Sequence, residues 1–371
     1  MHQSLSYNQQ TWKRLKKNKS ALLGLFIICI AVLLALFGYL FAPDNSPNAD
    51  LQTVEIQAKK AGYTQTFLKV PDFKSSSTKN WFTVLLSGKK NNYRLIPISG
   101  YVVKNDTLLI NKFIDEDTSV VQYFSVNQLT NNHPENFTTQ NIVVKKYWLG
   151  NDKFGRDILS RLIIGTRVSL AVGLIAVLIS LTLGIILGSI AGYFKGWIDE
   201  VVMWLVNVTW SIPTLLLVFA ITLAMGKGFW QIFIAVGLTM WISVARLVRG
   251  QVMAVKELEF VQAAKALGYT NSRIIAKHIL PNILGPILVI AASNFATAII
   301  VEAGLSFLGI GVQPPQPSWG LMIKENYNFI ITHNPLLALI PGFAIMLLVL
   351  AFNLLGNGLR DAVDVRAPSA P

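Results

Sequence analysis

Gln262-Ala263-Ala264-Lys265-Ala266-Leu267-Gly268, followed by Lys277-His278-Ile279-Leu280-Pro281, is a polar, helix-forming segment caught between two long apolar runs. A membrane protein places such a segment in a loop at the membrane surface, so the runs on either side are expected to be spans. Composition points the same way. Of 371 residues, 53% are hydrophobic and 14% charged, whereas soluble domains carry about 25% charged residues. Apolar runs lie near 21–42, 163–192, 200–225, 229–247, 284–310 and 336–357, and a span needs roughly 20 residues of helix. The expected fold class is an all-α polytopic membrane protein with about six transmembrane helices. The net charge of +13 raises nucleic acid as a partner, but the cations are dispersed and many flank apolar runs, as the positive-inside bias requires. No nucleic acid is expected; membrane lipid is.

The single cysteine, Cys29, lies inside the first run, so no intrachain disulfide can form. Lys13, Arg14, Lys16, Lys17 and Lys19 precede that run, as in a signal peptide. The run is longer than the usual apolar core of about 7–15 residues, and Pro43 follows the small residue Ala42. A retained anchor is expected. The basic N-terminus then stays cytoplasmic, and alternation places 43–160 outside, Lys195–Glu200 inside, Gly226-Lys227-Gly228 outside, 248–283 inside, 311–335 outside and the tail from Arg360 inside. Arg249, Lys256, Lys265, Arg273 and Lys277 against Glu257 and Glu259 support the inside placement of 248–283. The expected organisation is a cytoplasmic segment 1–20, a first transmembrane helix 21–42, an extracytoplasmic insert 43–147, a five-helix core 148–358 and a cytoplasmic tail 359–371.

The insert is polar and rich in Asn, Lys, Ser and Thr. Tyr101 to Ile110 reads as two β-runs around a turn, and Val120 to Val126 as a further strand, so a small β-rich module is expected. Gly184, Gly188 and Gly192 recur at four-residue spacing, which leaves a groove for close helix packing. In the loop, Leu258, Val261, Ala264 and Leu267 recur at helical spacing. Gly268 suits a helix C-cap, and Thr270 or Asn271 can cap a second helix near Ser272. A short helix-turn-helix that could enter a partner's groove results; an ordinary amphipathic loop is the plainer alternative.

The stretch from Ala245-Arg246-Leu247-Val248-Arg249-Gly250-Gln251 through Pro281-Asn282 resembles the EAA loop of ABC importer permeases. Within that class the chain is similar to the C-type permease of the dipeptide, oligopeptide and nickel transporters. Leu149-Gly150-Asn151-Asp152-Lys153-Phe154-Gly155-Arg156-Asp157 through Arg161 resembles the block before that family's second membrane helix. Ser211-Ile212-Pro213-Thr214 resembles its third-helix proline motif, and Glu302-Ala303-Gly304-Leu305-Ser306 through Pro317-Ser318-Trp319-Gly320 its fifth-helix exit. The likeness is loose over 1–42 and close over about 148–366. Gln262 stands where the family usually has Glu, and Trp204 and Asn207 stand where it often has Arg and Asp. The insert has no counterpart.

The resemblance implies the type I importer permease fold, located in the bacterial inner membrane. It implies a second homologous permease, two ATPase subunits and an extracytoplasmic solute-binding protein as partners. No cofactor is implied on this chain; ATP and Mg belong to the ATPases. Docking would fall to Gln262, Ala263, Ala264, Gly268, Leu280 and Pro281, with Pro281 fixing the start of the next span. The solute would be a peptide, with nickel or another small solute as the alternative.

Glu302 lies about 24 Å along a helix from Pro286, and a carboxylate inside a membrane run is a functional candidate by default. Glu302, Asn294, Asn207 and Pro213 are the weaker candidates for the translocation pathway. Asn294, Thr297, Asn207 and Thr209 are also expected to hydrogen-bond between helices, and Pro213 to kink its helix. Gly150 to Gly155 has phosphate-loop glycine spacing without the Lys and Ser/Thr. His2, His133, His278 and His333 are scattered and form no metal set. Asn105-Asp-Thr and Asn136-Phe-Thr match the glycosylation pattern only incidentally. A secondary transporter would need inverted repeats, and a membrane enzyme convergent catalytic groups; neither is evident.

Overall fold

The computed structural model describes residues 7–71, 80–104, 107–129, 141–226, 228–331 and 334–363. His2, His133, His333, Asn105, Asn136, Lys227 and the tail beyond 363, all considered above, lie outside that set. In chain order the elements are α1 (Tyr7–Lys17), α2 (Lys19–Phe41), β1 (Tyr63–Pro71), α3 (Trp81–Ser87), β2 (Tyr93–Lys104), β3 (Thr107–Phe113), β4 (Ser119–Ser125), α4 (Val126–Leu129), β5 (Ile142–Tyr147), α5 (Ile158–Phe194), α6 (Gly196–Trp210), α7 (Thr214–Met225), α8 (Phe229–Lys256), α9 (Glu259–Ala266), α10 (Asn271–Phe307), α11 (Trp319–Asn326) and α12 (Leu336–Val363). Among the described residues, 5 helices are long and apolar enough to cross a membrane, or 6 if the bent pair α6 and α7 is one span.

The chain divides into two compact units. One comprises Met1–Val32, Ser169–Gln313 and Ala344–Pro371; the other comprises Leu33–Val168 and Pro314–Phe343. In the first unit the glycine series of α5 packs on α8. A Cβ at Gly184 would stand 2.5 Å from Val244 Cβ, at Gly188 2.5 Å from the Ala245 carbonyl, and at Gly192 2.7 Å from the Arg249 carbonyl. Hydrogen in place of a side chain lets the backbones meet, so van der Waals contact replaces the hydrophobic drive that lipid does not supply.

The run 200–225 is not one straight helix. It bends by 92° between α6 and α7, a sharper change than a kink. Pro213 has no N–H and disfavours helical geometry at Ile212. Just before it, Thr209 donates to the Leu205 carbonyl and Ser211 to the Val208 carbonyl, both at 2.7 Å, which bends helices further.

The second unit holds a five-stranded antiparallel sheet of order β4-β3-β2-β1-β5. The expected β-runs are there as β2, β3 and β4, with Val126 already in α4. The sequence reading missed β1 and β5, which are mixed polar-apolar segments paired by register rather than marked by alternation: Thr66 lies opposite Ile98 on one side and Val144 on the other. Leu68, Ile96, Ile98, Leu108 and Ile110 fill one face of the sheet under α4, and Phe67, Leu95 and Tyr147 with Ile56 fill the other.

Candidate functional site

The loop 248–283 begins as the last turns of α8. After a break at Glu257 and Leu258, α9 runs from Glu259 to Ala266. Its end is a Schellman closure: Tyr269 N–H donates to the Ala264 carbonyl and Gly268 N–H to the Lys265 carbonyl. Gly268 has φ +78°, open to glycine without steric penalty.

The expected stripe Leu258, Val261, Ala264, Leu267 is split. Val261 and Ala264 are buried with Val248, Val252, Ile274 and Ile279, whereas Leu258 and Leu267 face away, Leu267 with 73% of its surface exposed. Steps of three residues fall about 60° short of a full turn each, so the stripe drifts around the helix and Leu267 ends opposite Leu258. The outward face is instead Phe260, Ala263 and Leu267, at i, i+3 and i+7. Burying Val261 and Ile274 contributes roughly 1.5–3 kcal/mol each, which holds α9 on the ends of the long helices.

The residues expected to dock therefore separate. Gln262, Ala263, Gly268 and Pro281 are exposed; Ala264 is buried, and Leu280 packs against the cluster beneath it. Ala264 supports the loop from inside, and Leu280 is half-buried against the same cluster. Gln262 Nε2 donates to the Lys256 carbonyl at 3.0 Å, completing the end of α8. A glutamate there could not donate this bond, which gives the amide a local reason.

Asn271 opens α10, but neither it nor Thr270 makes a side-chain cap. Asn271 Oδ1 accepts from Tyr193 O–H at 2.9 Å, and Lys256 Nζ donates to the Tyr193 carbonyl at 2.7 Å. Arg249 forks onto Asp199 at 2.5 Å. The end of α5, the start of α6, the end of α8 and the loop helices are thus tied together by polar bonds. Pro281 does not open a separate helix. α10 continues through it by a wide π-type turn at Ile275–Ile279 and a tight turn at Leu280–Ile283. The proline has no N–H for the preceding turn, and Asn282 Nδ2 donates to the His278 carbonyl at 2.6 Å.

The four pathway candidates are not brought together. Glu302 is fully buried, and Asn294 is buried as well, while Asn207 and Pro213 are exposed. Ser306 O–H donates to Glu302 Oε1 at 2.6 Å, and its oxygen accepts from Val312 N–H at 3.0 Å. Glu302 thereby pins the turn after α10 instead of lining a surface of this chain. Asn294 accepts from Ser243 at 3.4 Å and Asn207 from Arg246 at 2.7 Å, both between helices. Arg246 also stacks on Trp210 at 3.7 Å, so a cation supplied by α8 stands beside the position that lacks the family's acid. Thr209 and Thr297 bond carbonyls of their own helices instead.

In the second unit, the block before α5 is an ion network. Arg156 reaches Asp152 at 2.6 Å, Glu325 at 2.6 Å and Asp50 at 3.2 Å; Arg161 adds Glu325 at 3.4 Å. Both guanidinium groups are buried. This arrangement explains Gly150 to Gly155: Asp152 accepts from the N–H groups of Phe154 and Arg156, and a Cβ at Gly155 would overlap the Thr53 carbonyl. The glycines serve packing and not phosphate. Asp157 caps α5 through Ser160, and burial raises its pKa above the usual carboxylate value despite those bonds.

Comparison with known proteins gives consistent relatives. Residues 184–367 match the family described as binding-protein-dependent transport system inner membrane component, and residues 6–54 match the N-terminal transmembrane domain of oligopeptide transport permease C. A dipeptide transport system permease protein of Alkalihalophilus pseudofirmus is 45% identical over 224 residues, 60% of this chain and 73% of that protein. A glutathione transport system permease protein of Pectobacterium atrosepticum is 42% identical over 223 residues, 60% of this chain and 74% of that one. Among solved structures, a chain of the MetNI methionine ABC transporter in an inward-facing conformation aligns with TM-score 0.46 and 19% identity, covering 54% of this chain and 96% of that chain.

Proposed function

We propose, because this chain belongs to the family of binding-protein-dependent transport system inner membrane components, that it carries di- or oligopeptides across a bacterial cytoplasmic membrane as one of two permeases of an ATP-driven importer. It is a permease subunit of an ABC importer, and ATP hydrolysis lies in partner subunits. The peptide assignment rests on the relatives named for dipeptide and glutathione transport. The N-terminus and the loop 248–283 face the cytoplasm in this reading. Two ATPase subunits carrying ATP and Mg, a second homologous permease and an extracytoplasmic solute-binding protein complete the assembly.

The observation that carries the reading is the outward stripe Phe260, Ala263 and Leu267 on a helix whose other face is packed and whose end is closed by Gly268. A firmly backed apolar face suits insertion into a groove. Because α9 is tied to the ends of α5 and α8, a push on it moves those helices with it. Nucleotide-driven closure of the ATPases would then bias the permease between outward- and inward-open states.

The test is recovery of the complex from its native membrane, with ATP-driven dipeptide uptake measured after reconstitution. Leu267→Glu changes an exposed position away from the core, where substitutions shift stability by only about 0.5 kcal/mol. It should leave the chain folded and inserted but strip the ATPases and abolish uptake. Unchanged ATPase recovery and unchanged uptake would remove α9 from the docking surface.

A further inference from the structure

Helix α3, inside the sheet-bearing unit, exposes its large apolar side chains. Trp81, Phe82 and Leu86 are 70%, 61% and 56% exposed. With Leu85 they occupy one half of the helix, while Thr83 and Ser87 lie on the other. Among the described residues, none buries Trp81, Phe82 or Leu86 of this seven-residue helix.

Its position is set by one side chain. Arg167, on α5, donates to the carbonyls of Ala35 and Leu36 near the end of α2 and to those of Leu85 and Leu86 at the end of α3, at 2.9 Å for Leu36 and 2.8 and 2.7 Å for the α3 pair. The guanidinium also lies over the Tyr39 ring at 4.6 Å. One guanidinium thus donates to four carbonyls, two in the last turn of α3 and two on α2 short of its end. Gly88, at φ +75°, ends α3 so close to α2 that a Cβ would stand 2.8 Å from the Tyr39 ring, and Lys89 N–H donates to the Asn45 carbonyl at 2.9 Å. α3 is therefore clamped at the end of a membrane span. On that span Leu36, Leu40 and Phe41 are exposed apolar residues of the kind that face lipid.

We infer that α3 is an interfacial membrane anchor, lying in the headgroup layer beside the end of α2 and holding the inserted sheet against the bilayer. The occupant of its apolar face is lipid, because Arg167 joins the end of α3 to Leu36 on α2, beside the exposed apolar residues Leu40 and Phe41 of that span. The residue chemistry fits: Trp concentrates at membrane–water interfaces, and short amphipathic helices lie there with the apolar face toward the acyl chains. The insert is thus not a free module on a tether. Its sheet has a fixed distance from the membrane, set by Arg167.

The test uses the full chain with Cys29→Ser and single cysteines placed at Phe82, Leu86, Thr83 or Ser87. Each is labelled with an environment-sensitive fluorophore and reconstituted in phosphatidylcholine–phosphatidylglycerol vesicles. Labels at Phe82 and Leu86 should show blue-shifted emission that is lost to nitroxide attached high on the lipid chains and little affected by aqueous iodide. Labels at Thr83 and Ser87 should show the reverse. Iodide quenching at Phe82 and Leu86 equal to that at Thr83 and Ser87 would overturn the anchor. Protection of Phe82 and Leu86 from both quenchers would also overturn it, since protein would then cover the face.

Discussion

Gln262 shows how one atom decides a residue's meaning. Read along the chain it is a neutral stand-in for a family glutamate; in the fold its amide hydrogen closes the end of α8. Gln262→Glu should therefore lower the thermal stability of the purified chain by about 1 kcal/mol, the ordinary worth of one hydrogen bond, and Gln262→Ala should do the same. An unchanged melting temperature in both would mean that the bond contributes nothing. Asp157 makes a second case. Burial raises its pKa in the folded chain, so the folded state holds its proton more tightly than the unfolded state does. Stability from this group is then greatest below the ordinary carboxylate pKa and is lost as pH climbs through the raised value. Asp157→Asn, which keeps a good N-cap, should flatten that part of the melting-temperature profile against pH.

The packing of α5 on α8 depends on what is missing from three side chains. Gly188→Val would drive a branched side chain into the Ala245 carbonyl and should cost about 1–3 kcal/mol by overpacking, read as a fall in melting temperature. Gly250, on the same α8, has nothing within 4 Å of a built Cβ, so Gly250→Ala should be neutral or slightly stabilising. Equal effects would argue against a specific helix contact. The ion network before α5 behaves differently, because removing one partner strands buried charge. Glu325→Gln should destabilise the second unit by about 3–5 kcal/mol, seen as faster proteolysis of the insert. The four-residue glycine spacing and the existence of a helix at α9 were both readable from sequence. Which of the α9 apolar residues point outward was not, since a three-residue repeat drifts around the helix and only packing on Val248, Val252 and Ile274 fixes which part of it is buried.

For the molecule as a whole, the topology turns on the bent pair α6 and α7. If the pair acts as one span the chain crosses the membrane six times and both ends share a face; otherwise there are five crossings and the ends oppose each other. The basic N-terminus and the basic loop 248–283 lie on one side only if the pair is one span, which favours six. Single cysteines near Lys13 and Arg360, in the Cys29→Ser chain, should label from the same side of sealed vesicles, and labelling from opposite sides would exclude the six-span arrangement. Hydrophobic length and charge bias determined by themselves that this chain is multi-spanning with a polar loop at 248–283 and a β-rich insert, because transfer into lipid and backbone hydrogen bonding depend on local composition. The order of its motifs carried the likeness to permeases. Only the tertiary structure decided that Ala264 and Leu280 turn inward, that Glu302 serves the turn after α10, that β1 and β5 complete the sheet, and that Arg167 seats α3 beside α2. Those outcomes depend on partners distant in sequence, and a side chain's role there is set by which carbonyl, ring or carboxylate the fold brings within about 3 Å of it.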